Sequence, residues 1–562
     1  MQKIWLNSYP PGVPSEVDLD QFASVADMFE SVCKRYGEHS AFTNQGATLT
    51  WQQLDKLARR FAAYLHKLGL GKGDRIAIML PNLLQYPIVL YGAFRAGCVV
   101  VNINPQYTAR ELQHQLADSG AVAIVVLDNF SHTLEDALAS TALRFVITTR
   151  VGDMLQFHRS QIVKMAVHRI PHLVPDWCIS GSVHLLDALT LDEDLPEPQV
   201  CSGPDDIAFL QYTGGTSGVP KGAILTHRNI LANVEQTAEW ERAVLAEGQE
   251  TAVVPLPLYH MFAMVATLVF CRIGAHIVLI TNPRDVPSFV QELRHTRFTA
   301  LIGVNTLFKA LLDAEHIGEL DVGALKVVIA GGMALQRSVA ERWQQLFGVP
   351  ITEGYGLTEA STTVCANPFK RTYTGSIGLP MPSTEVALLD EAGNPVGLGE
   401  IGEICVRGPQ VMKGYWNRPE ETALAFTRDG WLRTGDMGRM GEDGFIKLVD
   451  RKKDVIIVSG FKVFPNEIEE VVGLHPGVFE VAAIRVADAQ TDEAVKIVVV
   501  RRDSALTQED LIAHCQKNLA PYKVPKYVSF RTDPLPKSNV GRVLRRLVSE
   551  EESQLAAAVP AG

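Results

Sequence analysis

The chain contains the stretch Tyr212–Thr213–Gly214–Gly215–Thr216–Ser217–Gly218–Val219–Pro220–Lys221–Gly222. It follows the strand-like run Ile207–Leu210 and precedes a helix start at Thr226–Asn229. Its glycines let the backbone approach an anion closely and point N–H groups at it. Its three hydroxyl side chains add donors, and Lys221 adds a positive charge. The combination predicts a loop that binds a polyphosphate.

Two better-known loops do not fit this stretch. A Walker A loop needs Ser or Thr after its lysine, whereas Gly222 follows Lys221. A nucleophile elbow needs glycine two residues after its serine, whereas Val219 stands two residues after Ser217. A flexible surface loop is the remaining alternative, and the preceding strand, the lysine and the following helix favour phosphate binding over it.

Around this loop, short β-branched runs alternate with helix-like segments such as Leu84–Ala96. The runs are Arg75–Leu80, Val122–Leu127, Phe145–Thr148, Ala252–Leu256, His276–Ile280 and Lys326–Ala330. Strands separated by helices predict βα units and mainly parallel sheets.

The pattern changes from about Thr384 onward. Three alternating runs separated by turn signals predict a small antiparallel unit; they are Val386–Leu389, Glu403–Arg407 and Phe445–Val449. The charged cluster Asp450–Asp454 then precedes a compact α+β pattern, in which Gln508–Asn518 is a predicted helix. We therefore expect an α/β fold in which residues 1–449 form a large N-terminal domain of doubly wound mixed sheets plus the antiparallel β unit. A hinge at Asp450 would join it to a small α+β C-terminal domain, residues 450–562.

Composition excludes several classes of protein. Among the 562 residues, 63 are acidic and 52 are basic, so the formal net charge is -11, whereas a nucleic-acid-binding protein would carry a basic excess.

No two of the 8 cysteines form a CxxC pair, so we expect reduced thiols of a cytosolic protein rather than disulfides or a zinc site. Met1–Asp20 lacks the apolar run of a signal peptide. The most apolar stretch, Met261–Ile280, contains Arg272 and is interpreted as a buried helix and strand rather than a membrane span.

The segment Arg150–His172 alternates cationic and apolar residues. It fits either a basic amphipathic helix lying on an anionic bilayer or a solvated surface helix. The sequence leaves these two interpretations open.

The phosphate loop resembles that of the adenylate-forming enzymes, the superfamily of acyl-CoA synthetases, adenylation domains and luciferases. Five further motifs follow in that family's order: Pro257–Phe262, Thr352–Glu359, Trp431–Asp436, Asp450–Asp454 and Pro536–Arg542. The similarity covers nearly the whole chain. Asn104–Leu112 and the basic segment resemble, in particular, the bacterial long-chain fatty-acyl-CoA ligases.

The resemblance implies a role for each matching position. His260, Lys221 and Arg542 would be catalytic, and Thr213 and Glu359 would hold Mg²⁺. The positions that would contact ATP or CoA are Thr213, Gly214, Gly215, Thr216, Ser217, Gly218, Lys221, Gly331, Gly332, Gly354, Tyr355, Gly356, Thr358, Asp436, Arg451 and Gly460. Tyr355 would stack on adenine, and the glycines beside it favour an exposed ring. Asp436 would bind the ribose hydroxyls, and Gly460 would line the pantetheine channel.

Each role has a plainer alternative. His260 lies in an apolar context where a core histidine is common, and Tyr355 could pack in the core. Glu359 could be a solvated carboxylate, Asp436 a turn residue, and Gly331–Gly332 a tight turn.

The resemblance implies ATP-dependent ligation of a long-chain fatty acid to CoA in two steps. The carboxylate would attack ATP to give acyl-AMP and pyrophosphate, and the CoA thiol would then displace AMP. One C-terminal domain would serve both steps by rotating about Asp450. We expect ATP, Mg²⁺ and CoA as cofactors or co-substrates, no nucleic-acid partner and a cytoplasmic location. Contact with the inner face of the cytoplasmic membrane and a homodimer are further hypotheses.

One position departs from the family pattern. The C-terminal loop of the family carries a catalytic lysine where this chain has Arg542 after Gly541. Arginine keeps the positive charge but is planar and wider than lysine, which puts the rate of adenylation in doubt. Lys537, earlier in the same loop, is the rival for this role.

Two other functions remain open. The first is an acyl-AMP ligase that passes its product to a carrier protein, although only 20 residues follow Arg542 and we expect no fused carrier domain. The second is a weakly active or non-catalytic protein that binds acyl groups and nucleotides. Arg542 is the one observation that suggests this alternative.

Overall fold

A computed structural model of the chain describes residues 3–155, 174–190, 202–213, 220–488, 490–538, 541 and 543–558. Most of the basic segment, residues 214–219 of the phosphate loop, and Arg542 lie outside this part of the chain. The predictions made for them therefore stay predictions.

The strands fall into four sheets. In chain order they are β1 (Ser40–Asn44), β2 (Ala47–Thr50), β3 (Arg75–Met79), β4 (Val99–Asn102), β5 (Ala123–Leu127), β6 (Phe145–Thr149), β7 (Val183–His184), β8 (Ile207–Thr213), β9 (Lys221–Thr226), β10 (Thr251–Val254), β11 (His276–Leu279), β12 (Ala300–Gly303), β13 (Val327–Ala330), β14 (Ile351–Leu357), β15 (Thr362–Ala366), β16 (Leu379–Pro380), β17 (Glu385–Leu389), β18 (Gly402–Arg407), β19 (Leu432–Met440), β20 (Ile446–Arg451), β21 (Ile456–Val458), β22 (Phe461–Val463), β23 (Val478–Asp488), β24 (Asp492–Arg501) and β25 (Tyr527–Arg531).

Two large mixed sheets make up most of the N-terminal part. The seven-stranded sheet has the order β7-β6-β5-β3-β4-β8-β9, and all its neighbours are parallel except β8 and β9. The nine-stranded sheet has the order β16-β15-β14-β13-β12-β10-β11-β1-β2, with a parallel centre and antiparallel pairs at its edges. The predicted doubly wound α/β architecture is confirmed.

Helices cover these sheets. The α-helices are Val25–Tyr36, Trp51–Lys67, Gln85–Arg95, Ala109–Ser119, Ser131–Ala137, Leu185–Ala188, His227–Glu241, Met261–Arg272, Val286–His295, Asn305–Leu312, Arg337–Phe347, Pro419–Ala425, Pro465–Gly473, Gln508–Asn518 and Arg545–Ala558. The helix Met261–Arg272 is buried along most of its length because nearly all its residues are apolar. Among the described residues, no helix combines the length and the apolar composition that crossing a bilayer requires.

The antiparallel unit has four strands, in the order β17-β18-β19-β20. The sequence predicted three of them and missed β19, because this strand contains Gly435 and Gly438 and does not alternate apolar with polar residues. In the antiparallel pair of β19 and β20, Asp436 lies directly opposite Arg451.

The C-terminal part has its own core. Strands β21 to β25 form one sheet, in which β25 pairs in parallel with β24 and the other pairs are antiparallel. The helix Gln508–Asn518 has the predicted bounds and begins with a capping box at Thr507. This is the predicted α+β unit.

Asp450, at the end of β20, joins the two parts through a buried ionic network. Its carboxylate accepts hydrogen bonds from Arg545 Nη1 at 2.9 Å and from the backbone N–H of Asn466 at 2.6 Å. Arg545 also binds both carboxylate oxygens of Glu469, at 2.8 and 2.7 Å. Proximity to these acidic groups outweighs burial and raises the pKa of Arg545, so the guanidinium stays charged. Because the Asp450 side chain is fully buried, its charge depends on these partners.

We predict that Arg545→Met lowers the free energy of unfolding by about 3 kcal/mol, because the buried carboxylate of Asp450 would lose its cation. The measurement is chemical denaturation, supported by hydrogen exchange in the helix Pro465–Gly473. Arg546→Met is the matched control, since Arg546 is exposed and, among the described residues, pairs with Glu550 alone, one helical turn away. It should change stability by less than about 0.5 kcal/mol. Equal effects of the two substitutions would contradict the role of the network.

Candidate active site

The predicted phosphate loop is the tip of the β8–β9 hairpin. Thr213 of β8 and Lys221 of β9 lie opposite each other and are the last paired residues before residues 214–219. Gly214, Gly215, Thr216, Ser217 and Gly218 lie outside the described residues. The expected arrangement of strand, loop and helix is wrong in one respect, because the strand Lys221–Thr226 comes between the loop and the helix. Thr226 then caps the helix His227–Glu241, as the sequence predicted.

Lys221 belongs to a compact polar group. Its ammonium forms an ion pair with Glu421 and lies 5.1 Å from the centre of the Tyr415 ring. The Tyr415 hydroxyl donates a hydrogen bond to Glu359 Oε1 at 2.9 Å. Burial and the charge of Glu359 raise the pKa of Tyr415, so its hydroxyl remains protonated. The fold thus links Lys221 to the predicted magnesium ligand Glu359, and Tyr415 and Glu421 are residues that the sequence did not indicate.

Beside this group lies a cavity whose free space, including the solvent at its mouth, is about 860 Å³. Predicted site residues line one side of it: His260, Gly331, Gly332, Gly354, Tyr355, Gly356 and Thr358. Apolar side chains such as Phe262, Val265 and Val269 line another side. The cavity therefore combines a polar region at the predicted nucleotide motifs with an apolar channel.

His260 caps the helix Met261–Arg272. Its Nδ1 accepts a hydrogen bond from the backbone N–H of Phe262 at 3.3 Å, which leaves the rest of the ring facing the cavity. Burial lowers the pKa of His260 to about 4, so the imidazole is neutral at pH 7. A neutral imidazole can accept or donate a hydrogen bond without adding charge to the site.

Tyr355 differs from its prediction. We expected an exposed ring because glycines flank it, but the residue is only 9% exposed. Its hydroxyl donates to Asp436 Oδ2 at 2.7 Å. Gly356 serves a different purpose: a Cβ at this position would overlap the carbonyl oxygen of Thr362 on the adjacent strand β15.

Asp436 and Arg451, each predicted to contact the nucleotide, lie next to each other. Arg451 Nε lies 3.3 Å from Asp436 Oδ1, across the β19–β20 ladder. One carboxylate oxygen of Asp436 therefore accepts a hydrogen bond from the Tyr355 hydroxyl, and the other pairs with the Arg451 guanidinium. It is a strand residue, and the alternative of a turn aspartate is wrong.

The C-terminal motifs occupy two different places. Ser459 and Gly460 form the two-residue turn between β21 and β22, both with positive φ, and they are exposed. Gly541 instead touches the N-terminal part, where a Cβ would overlap Thr306 Oγ1 in the helix Asn305–Leu312. Gly541 therefore lies against the helix Asn305–Leu312 of the N-terminal part, whereas Gly460 faces solvent.

Glu353 is a lining residue that the sequence did not single out. It precedes Gly354 on β14, and its Oε1 accepts a hydrogen bond from the backbone N–H of Leu335 at 3.1 Å. Burial raises the pKa of Glu353 to about 7, although the hydrogen bond opposes this shift. Its place directly before the Gly–Tyr–Gly motif was the available signal.

Comparisons with known proteins agree with this geometry. The AMP-binding enzyme family matches residues 29–416, more than half of the chain. The chain belongs to this family. Its AMP-binding enzyme C-terminal domain matches residues 467–542.

Relatives within the family extend over nearly the full length. Proteins named long-chain-fatty-acid–CoA ligase are 52% identical in Yersinia pestis and 51% identical in Escherichia coli O157:H7, each match covering 98% of both chains. A protein of the same name in Bacillus subtilis is 37% identical, over 98% of this chain and 99% of its own.

Solved structures of the family share the fold. The ATP-bound MatB of Rhodopseudomonas palustris is 28% identical with a TM-score of 0.81, and the match covers 94% of this chain and 99% of that one. The anthranilate CoA ligase AuaEII, in complex with anthranoyl-AMP, is 22% identical with a TM-score of 0.84 over 97% of this chain and all of that one.

We predict that Glu353→Gln becomes more stable relative to the unsubstituted protein as the pH rises. The folded-state pKa of Glu353 is above the ordinary value of 4.5, so the folded state holds a proton that the unfolded state has lost. Stability is therefore lost as the pH rises through 7, and glutamine removes this loss. Between pH 5 and pH 8 the difference in free energy of unfolding should shift by about 2 kcal/mol in favour of the variant.

Chemical denaturation across this pH range measures the effect. Glu341→Gln is the control, because Glu341 is exposed on the helix Arg337–Phe347. Parallel stability curves for Glu353→Gln and the unsubstituted protein would show that the carboxyl group of Glu353 ionises normally.

Proposed function

We propose that this family member is an ATP-dependent long-chain fatty acid–CoA ligase. The observation that carries the proposal is the near-full-length similarity to ligases of that name, from several bacteria. The cavity supports it, since an apolar channel that opens beside nucleotide motifs suits an acid with a long hydrocarbon chain.

In the first step the fatty carboxylate attacks the α-phosphorus of ATP, giving acyl-AMP and pyrophosphate. The β8–β9 tip and Lys221 bind the phosphates, Tyr355 packs beside adenine, and the ribose hydroxyls contact Asp436. Neutral His260 helps to position the reacting carboxylate at the mouth of the channel. Positioning and charge neutralisation supply most of the rate in such a displacement.

Magnesium fits the residues that would hold it. Glu359 offers a carboxylate and Thr213 a hydroxyl, and Mg²⁺ prefers such oxygen ligands. Within the described residues no group of three or more His, Cys, Asp or Glu side chains could hold a metal ion. Mg²⁺ bound mainly through substrate phosphates needs only one or two protein ligands. When bound, it would neutralise phosphate charge.

In the second step the CoA thiol attacks acyl-AMP and releases AMP. We propose that the C-terminal part, residues 450–562, rotates about Asp450 between the two steps. The contact of Gly541 with Thr306 suits the first step, because it brings the C-terminal loop to the large sheets. Rotation would then bring the exposed Gly460 turn to the cavity. Association of residues 150–172 with the inner membrane surface, and a homodimer, remain hypotheses.

A product assay tests the function. We predict that the purified protein releases pyrophosphate from ATP with long-chain acids and, with CoA present, forms acyl-CoA and AMP. Glu359→Gln should reduce both activities about 100-fold, since it removes a charge from the phosphate site. Glu442→Gln, on the exposed β19–β20 turn, should leave them unchanged.

Each alternative has its own outcome in this assay. Acyl-AMP formation without acyl-CoA would favour the ligase that serves a carrier protein. No pyrophosphate release with any acid from acetate to oleate would favour the non-catalytic protein.

Because Arg542 stands where the family has lysine, we predict that substitution at this position affects adenylation but not the transfer of the acyl group to CoA. Lysine at this position acts in adenylation in the family scheme, so Arg542→Lys should raise pyrophosphate release about tenfold, or about 1.4 kcal/mol. The conversion of supplied acyl-AMP and CoA should be unchanged. Lys537 forms an ion pair with Glu480 of β23, which leaves it poorly placed to take over the role. If Lys537→Ala abolishes adenylation while Arg542→Lys has no effect, the assignment is wrong.

A further inference from the structure

The cavity runs between opposite edges of the nine-stranded sheet. His260 and Gly331 come after the carboxyl ends of the parallel strands β10 and β13. Glu250 and Lys326 come immediately before the amino ends of the same strands, and Lys326 Nζ lies 2.6 Å from Glu250 Oε1. The nucleotide motifs therefore mark one edge, and the Glu250–Lys326 pair marks the other.

An apolar helix face connects the two edges. Met261, Val265 and Val269 lie four residues apart along the helix Met261–Arg272, and all three line the cavity. At 1.5 Å per residue they span about 12 Å. The channel is thus long enough to lead an acyl chain away from the reacting carboxylate toward the amino edge.

Beyond this apolar face, the cavity is lined by polar side chains from the last turn of the helix His227–Glu241. Thr237 and Glu241, four residues apart, share one face of this helix and both line the cavity. Glu241 is only 3% exposed. Burial and the neighbouring charge of Glu250 raise the pKa of Glu241 to about 8. Glu241 is the last residue of the helix that leads to the amino end of β10, so it lies toward the amino edge of the sheet.

One oxygen of each polar group has no protein partner in the part of the chain that the structure describes. Glu241 Oε2 and Thr237 Oγ1 are both buried and have no hydrogen-bond partner among the described residues. The side chain between them does have one, since Trp240 Nε1 donates to the carbonyl oxygen of Asn367 at 3.2 Å. A carboxyl group and a hydroxyl group at the end of an apolar channel are costly unless a ligand binds them.

A hydroxyl group is the ligand that both can bind at once. It can donate to the carboxyl group of Glu241 and accept from the hydroxyl of Thr237. The methyl end of an unsubstituted fatty acid can do neither, and it would leave both groups unpaired. Sites built to bind a substrate hydroxyl discriminate strongly against the analogue that lacks it.

We propose, given the ligase function above, that Thr237 and Glu241 form a subsite for a hydroxyl group at the distal end of the acyl chain. The substrate class is then long-chain ω-hydroxy or near-terminal hydroxy acids. The carboxyl end of the substrate reacts at the nucleotide motifs while its hydroxyl end binds Glu241 and Thr237.

The experiment compares matched pairs of saturated and ω-hydroxy acids from decanoate to stearate. The measured quantity is the ratio of kcat/KM for the hydroxy acid to that for the plain acid. We expect this ratio to be highest at one chain length, where the hydroxyl reaches the subsite. In the double variant Thr237→Val, Glu241→Leu the ratio at that length should fall about tenfold. Glu241→Gln, which can still form hydrogen bonds, should retain most of the preference.

Thr267→Val is the matched control. Thr267 is also a buried threonine whose Oγ1 lacks a partner among the described residues, but it does not line the cavity. Its substitution should leave the ratio unchanged. The proposal is overturned if the ratio is independent of chain length in the unsubstituted protein, or if the double variant and Thr267→Val behave alike. Better use of ω-carboxy than ω-hydroxy acids would also overturn it.

A binding measurement separates this proposal from the ligase function. Trp240 lines the cavity beside Glu241, so its fluorescence can report acid binding without ATP or CoA. If no acid yields acyl-CoA but ω-hydroxy acids bind about tenfold more tightly than plain acids, the ligase function fails and the subsite stands. Equal affinities for the two acids, unaffected by the double variant, would reject the subsite even in an active ligase.

Discussion

The Asp436 carboxylate joins parts of the molecule that would otherwise be separate. One oxygen accepts the hydroxyl of Tyr355 from the nine-stranded sheet, and the other faces Arg451 on β20. The residue before Arg451 is Asp450, whose carboxylate is held by Arg545 of the C-terminal part. Polar contacts therefore lead from the cavity wall to the last helix. Because buried carboxylates are stable only with their partners in place, these contacts stabilise the relative position of the parts in this structure.

The parallel strands impose a second constraint. Their carboxyl ends converge at one edge, where loops with glycine and polar residues can surround a ligand. Their amino ends lie at the opposite edge, which is occupied by Glu250 and Lys326. A channel along the helix Met261–Arg272 therefore has two chemically different ends, and the nature of the second end bears on which acids the protein can hold.

The sequence predicted most of the fold because apolar periodicity is a strong signal in long elements. The helix in Met261–Ile280 and the helix Gln508–Asn518 lie where the pattern placed them. Strand β19 was missed because glycines and charges interrupt it. The strand Lys221–Thr226 was missed because it directly follows the loop. Family membership, predicted from ordered motifs, is confirmed.

The candidate site was less predictable in its details. Glycines beside Tyr355 suggested an exposed ring, but the ring is buried and Gly356 allows the neighbouring strand to approach, which local sequence does not reveal. Glu241 and Glu421 resemble ordinary surface glutamates in a helix, and only the tertiary structure buries one and pairs the other. The roles of Gly214–Gly218 and Arg542 stay predictions.

The pairing of Lys221 with Glu421 bears on turnover as well as on binding. A lysine with no carboxylate partner in the protein would hold a multiply charged leaving group tightly. When that leaving group departs, the ammonium of the lysine would be left without a counter-ion. If Lys221 binds the phosphates as proposed, Glu421 would pair with its ammonium again once the anion leaves. This competition would favour release of pyrophosphate and would lower the affinity for ATP.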